Sequence, residues 1–183
     1  MLDRQAFIAF PVVCFCDIPM PAASDHRGRY GPYALAMSKT WSIGHDINPV
    51  WYIHIGSSIY FHFRQVAQHP VRATLSTVPS SVKPLLPFLK QTVGAQPDRS
   101  GMHPGQCEVL PFEEELEWRH TPRCLTDSWK FGYDRHIVTE ADHELSKPHR
   151  LLLDHKDIDS VYVPTEAERE DVIAEFRALS ARV

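Results

Sequence analysis

Between Val12 and His54, three short apolar runs each end in a breaker. The first, around Val13-Cys14-Phe15-Cys16, closes at Pro19. The second, Tyr33 to Ser38, follows Gly31-Pro32 and stops before Lys39. The third, Val50 to Ile53, follows Asn48-Pro49 and stops at His54. Runs this short, bounded by Pro, Gly and polar residues, read as buried strands. Fifteen prolines in 183 residues favour loops and keep helices short, because each removes an N–H and fixes φ. The expected fold is α+β: a mixed, mainly antiparallel central sheet with short helices, long Pro-rich loops and a C-terminal helix packed on the sheet. The length suits one domain, 1–183.

Ala6 to Cys16 reads as one strand, and Ala22 to Arg29 as a short helical turn. Lys39 to Asp46 is a loop or short helix. Val50 to Ile55 is apolar on both faces, as a central strand would be. Ile59, Phe63 and Val66 recur at helical spacing after Ser57. Thr74 to Pro87, broken by Pro79, Pro84 and Pro87, resembles a lid or insertion. Cys107 to Leu110 is apolar-leaning. Glu113 to Arg119 fits strand or helix; as a strand it would put Glu113, Glu115 and Glu117 on one face. Leu151 to Leu153 and Ser160 to Val163 read as strands. Thr165-Glu166-Ala167-Glu168 is a capping box, opening a helix with the apolar stripe Val172, Ile173, Phe176 and Leu179.

The net charge of −4 without a basic run disfavours a nucleic-acid binder working by bulk electrostatics. No apolar run approaches the roughly 20 residues of a spanning helix. Met1-Leu2-Asp3-Arg4-Gln5 has no signal-peptide pattern. A cytoplasmic protein is expected, with no membrane partner, and with its four cysteines as thiols or metal ligands rather than disulfides.

Three groups of residues carry chemistry. Glu115 and Glu117, beside Trp118 and Arg119, form a carboxylate pair of the kind that holds a sugar hydroxyl or an oxocarbenium-like centre; the plainer alternative is a solvated acidic edge. Asp25, His26, Arg29 and Tyr30 form a polar joint with a proton carrier and a planar fork for phosphate or carboxylate; the plainer alternative is a loop whose Arg and Asp pair. His103, Cys107, His120 and Cys124 have the ligand types for tetrahedral zinc, although eleven histidines make chance pairs common, and zinc is the weaker expectation. Cys14 and Cys16 read as buried structural thiols rather than a chelating pair.

The cluster Val13-Cys14-Phe15-Cys16-Asp17-Ile18-Pro19 is followed by His26, Tyr30-Gly31 and Tyr33. Then come Ser38-Lys39 with Trp41, and Asn48-Pro49-Val50 with Tyr52-Ile53. Together these resemble the AbiGi-like abortive-infection family of bacterial phage-resistance proteins. Glu115-x-Glu117-Trp118-Arg119 is similar to that family's acidic-Trp-Arg motif, and Asp157-Ile158 through Val163-Pro164 to its closing strand. The resemblance runs from about Val12 to Val172. It implies a phage-defence component of antitoxin type with a cognate toxin or antitoxin partner. Relatives are expected to carry an additional strand and helix ahead of the Cys-Phe-Cys cluster. The layout also resembles ADP-ribosyltransferase-like folds, which implies NAD as substrate. On that analogy the catalytic residues are Glu117, Glu115 and His26. The NAD-binding residues are Arg29, Tyr30, Tyr33, Ser38 and Arg119. Such a site requires the segments around His26 and Glu117 to share one pocket.

Overall fold

The computed structural model describes residues 7–67, 79–97, 107–122, 130–132, 139–140, 142, 144 and 147–180. Pro11 divides the expected first strand, because it has no N–H to give a ladder. β1 (Phe7–Ala9) and β2 (Val13–Cys16) lie on either side of it. There follow in chain order α1 (Ser24–Tyr30), β3 (Ala34–Met37), α2 (Lys39–Gly44), β4 (Asn48–Pro49), β5 (Trp51–Ile53), α3 (Ser58–Ala67), β6 (Leu89–Gln91), β7 (Val93–Pro97), β8 (Cys107–Pro111), β9 (Glu117–His120), β10 (Lys130–Gly132), β11 (Ile158–Tyr162) and α4 (Glu166–Ser180). The class is α+β, as expected. Among the described residues the strands form small sheets: β2-β9-β4, β1-β10, β3-β11, β5-β6 and β7-β8. The chain divides into two compact units. The first is Met1–Asp17, Ile47–Ala95 and Val109–Leu151; the second is Ile18–Asp46, Gln96–Glu108 and Leu152–Val183.

In the first unit β9 is the middle strand, antiparallel to both neighbours. Cys14 lies opposite Arg119 and Cys16 opposite Glu117; on the other side Asn48 faces Arg119 and Pro49 faces Trp118. Pro49 is tolerated there because β4 is an edge strand, where a missing N–H breaks no central ladder. The Val50 N–H donates to the Glu117 carbonyl at 2.9 Å, and the chain then turns into β5. Sequence reading makes β5 a central strand, but it pairs only in parallel with β6 among the described residues, Tyr52 beside Lys90. Trp51 is accordingly 53 % exposed. Ile47, Val50, Pro87 and Leu110 are buried and form the apolar core of this unit. The expected strand at Leu151 to Leu153 does not form; among the described residues no strand pairs with it, and Leu152 is 80 % exposed.

In the second unit, α1 ends at Gly31, whose φ of 107° suits a residue without Cβ. The Gly31 N–H donates to the Arg27 carbonyl at 2.9 Å. α2 begins at Ser38, whose Oγ accepts the Trp41 N–H at 3.1 Å, the usual service of an N-cap serine. Trp41 is buried and stacks on His45, ring centroids 4.4 Å apart. β3 and β11 are antiparallel with a register shift between Ile158 and Ser160.

The capping box forms as the sequence predicts. The Glu168 N–H donates to Thr165 Oγ1 at 3.3 Å, and the Thr165 N–H donates to Glu168 Oε2 at 3.1 Å. Tyr33 Oη adds a 2.6 Å hydrogen bond to Glu168 Oε1, tying the start of α4 to the residue ahead of β3. Of the predicted stripe, Val172, Ile173 and Phe176 are half-buried; the Leu179 side chain lies outside the described set. Thr165→Ala removes one side of the box and is expected to lower the unfolding free energy by about 1 kcal/mol. Urea denaturation with an unchanged slope measures this. No helix among the described residues is long and apolar enough to cross a membrane.

Candidate functional site: a buried charge cluster

The acidic run does not form one strand. Phe112–Glu115 is a 3₁₀ turn, Leu116 is left-handed at φ 44° and ψ 49°, and β9 starts at Glu117. Glu113, Glu115 and Glu117 therefore do not share a strand face, which corrects the strand alternative. A left-handed leucine costs roughly 1–2 kcal/mol. Its carbonyl is anchored by the Asp17 N–H at 3.0 Å. The reversal at Leu116 brings Glu115 and Glu117 to one ammonium from two different elements. Glu113 and Glu114 stay exposed, but Glu115 and Glu117 are only 6 % and 7 % exposed. For this pair the solvated-edge alternative fails.

The ammonium belongs to Lys90 on β6. Its Nζ lies 2.5 Å from Glu115 Oε2 and 2.7 Å from Glu117 Oε2. Arg119, two residues from Glu117 and so on the same face of β9, donates from Nε to Glu117 Oε1 at 2.6 Å and from Nη2 to Oε2 at 3.1 Å. Its Nη1 donates to the Pro87 carbonyl. The Glu117 N–H donates to Tyr52 Oη at 2.8 Å. Lys90 Nζ also sits 4.4 Å from the centroid of the Phe112 ring, a cation–π distance. Two carboxylates thus meet two cations inside the first unit. Buried charge is tolerated only with such pairing.

Burial alone would raise the Glu117 pKa. Hydrogen bonds from Arg119, Lys90 and Cys14 outweigh it and bring the carboxyl down to about 2. Lys90 and Arg119 are both desolvated by burial, yet both are held above their ordinary values by the carboxylates. Burial raises the Tyr52 phenol as well, against the lowering by the Glu117 N–H and Lys90. At neutral pH Glu117 is therefore an anion held between the Lys90 and Arg119 cations.

Cys14 and Cys16 depart from expectation. Residues two apart on a strand share a face, and both cysteines are exposed rather than buried. The Cys14 thiol nevertheless reaches the Glu117 carboxylate. Desolvation, then Glu117, push its pKa up to about 11 from 9.0. The thiolate fraction at neutral pH falls about a hundredfold. A more basic thiolate is about tenfold more nucleophilic, which leaves a net slowing of about tenfold. Iodoacetamide labelling of Cys14, followed by peptide mass spectrometry, is expected to run about tenfold slower in the folded protein than in urea. Equal rates would contradict the thiol–carboxylate contact.

The other predicted residues belong to the second unit. His26 and Tyr30, one helical turn apart on α1, hold their rings 4.4 Å apart and 32° from parallel. Arg29 is half-buried on the same helix. The expected polar joint is thus a face of α1; the Asp25 side chain lies outside the described set. Tyr33 is 61 % exposed and engaged with Glu168. Ser38 caps α2. Glu115, Glu117 and Arg119 are together in the first unit, while His26, Arg29, Tyr30, Tyr33 and Ser38 are in the second. Of the suggested zinc ligands, His103 and Cys124 lie outside the described residues, as does the Cys107 side chain. No group of three metal-ligating side chains suited to an ion occurs among the described residues.

Sequence reasoning missed Lys90 and Tyr52. The available signal was a single lysine in Leu85-Leu86-Pro87-Phe88-Leu89-Lys90, an apolar run in which a cation needs a buried counter-charge.

A family model described as "Putative abortive phage resistance protein AbiGi, antitoxin" matches residues 4–164. A similar protein, "Abortive phage resistance protein AbiGi" of Lactococcus lactis subsp. cremoris, is 25 % identical over 193 aligned positions, covering 90 % of this chain and 75 % of the relative. No solved structure matches. The matched region contains both the Cys-Phe-Cys cluster and all four residues of the buried charge network, and the chain belongs to the AbiGi family of abortive phage resistance proteins.

Proposed function

We propose that this phage-defence protein works without catalysis, as an antitoxin that binds and masks a partner toxin. The observation that carries the reading is the closure of the charge cluster. Both Glu117 oxygens are held by Arg119 and Lys90, and Glu115 shares the same ammonium. A carboxylate that stabilises an oxocarbenium-like sugar has to face that sugar, and these carboxylates face protein cations. The word antitoxin in the family description agrees with this reading. A net charge of −4 suits a basic partner surface. Co-expression with the product of the adjacent reading frame tests it. The expected result is a complex that survives size exclusion and relieves the growth arrest caused by that product alone. A chain that elutes by itself and gives no relief would overturn the reading.

A second reading is an ADP-ribosyltransferase-like effector acting on NAD. It is favoured by one feature: Glu117 stays ionised far below neutral pH, next to a guanidinium suited to phosphate. On this reading Glu117 is the reacting carboxylate, with Arg119 beside it in the same unit. Nicotinamide release by the purified chain, abolished by Glu117→Gln with folding intact, is its required result. No release, or release unaffected by that substitution, removes it.

A further inference from the structure

The second unit contains a cleft of about 410 Å³ beside the start of α4, within the size range of ligand pockets. It is lined by the paired strands β3 and β11, through Tyr33, Ala34 and Leu35 and through Val161, Tyr162 and Val163, and by Val172 of α4. Glu168, half-buried, and Asp171, exposed, complete the lining. Leu35 is 52 % and Tyr33 61 % exposed, so the apolar wall is open to a visitor. Charge on the helix is one-sided: α4 carries five carboxylates, Glu166, Glu168, Glu170, Asp171 and Glu175, against two arginines, Arg169 and Arg177. Hydrogen bonds from Tyr33 and Thr165 lower the Glu168 pKa, which keeps that carboxylate charged at neutral pH.

An apolar floor with an acidic helix along it matches one kind of occupant. We infer that this cleft docks a short segment of a partner protein in which an aliphatic side chain is followed by an arginine or lysine. The aliphatic group fills the space between Leu35, Val161 and Val172. The cation meets Asp171 and Glu168, and the ring face of Tyr33 takes the aliphatic stem of the basic side chain. The inference rests on the antitoxin reading for its biological sense, because it names the surface by which the partner is held.

The test uses the full chain and a fluorescein-labelled peptide of alternating leucine and arginine, with a leucine–glutamate peptide as control. Fluorescence anisotropy is expected to show saturable binding of the first and none of the second. Asp171→Lys should weaken binding at least tenfold, since it reverses the rim charge at an exposed position. Leu35→Ser should weaken it several-fold without changing any charge. Circular dichroism confirms that both variants fold. Equal affinity for both peptides, or affinity unmoved by both substitutions, would overturn the inference. NAD displacing the peptide would overturn it too, and would mark the cleft as a nucleotide site. The adjacent-frame protein separates the two levels. If it binds the wild type and the Asp171→Lys and Leu35→Ser variants equally, the cleft is wrong and the antitoxin reading stands. If it fails to bind the wild type, the antitoxin reading falls whatever the peptide does.

Discussion

Lys90→Met is expected to lower the unfolding free energy by about 3–5 kcal/mol. Methionine keeps an apolar stem as far as Cε but removes the charge that Glu115 and Glu117 both use. Two carboxylates would then remain in the core with Arg119 as the cation of the network. Marginal stabilities of about 5–15 kcal/mol make a loss of that size close to unfolding. The control is the double variant Lys90→Met, Glu115→Gln, which removes one charge of each sign. It should recover a large part of the loss, because an uncompensated buried charge costs more than a missing pair. Denaturant midpoints of wild type, single and double variants decide it. A single variant within about 0.5 kcal/mol of wild type would mean that Lys90 does not bridge the carboxylates.

The second large effect is on acid stability. The folded Glu117 carboxyl lies at about 2, below its ordinary 4.5. A carboxyl depressed in the folded state contributes stability that is fully present above its unfolded pKa. That contribution is lost as the pH falls through the folded value. The window is therefore pH 4.5 down to 2, and the contribution is about 3 kcal/mol. Glu117→Gln lacks the titration and should show a flatter stability curve across that window, though a lower plateau at neutral pH. Parallel wild-type and variant curves would refute the assignment.

What the sequence made legible follows distance along the chain. The capping box at Thr165 and Glu168 needs only four consecutive residues, and it forms with the expected donors and acceptors. The short runs around Phe15 and Leu35 do become strands. The charge cluster was half legible: Glu115, Glu117 and Arg119 stood out as a motif, but their partner Lys90 lies 25 residues before Glu115. No local periodicity encodes that pairing. It arises from the parallel alignment of β5 with β6 and from the left-handed Leu116, which nothing in the letters Glu-Leu-Glu announces. Cys14 misled for a related reason. Read alone it suggested a buried structural thiol, whereas the residue is exposed and its thiol reaches the Glu117 carboxylate of β9.

The most direct measurement is the titration of the Glu117 side-chain carboxyl carbon by NMR in selectively labelled protein. Clamping by Arg119 and Lys90 predicts a midpoint at about 2. A midpoint at or above the ordinary 4.5 would mean the carboxylate is not held by the two cations, and the case for a closed, non-catalytic cluster would fail with it.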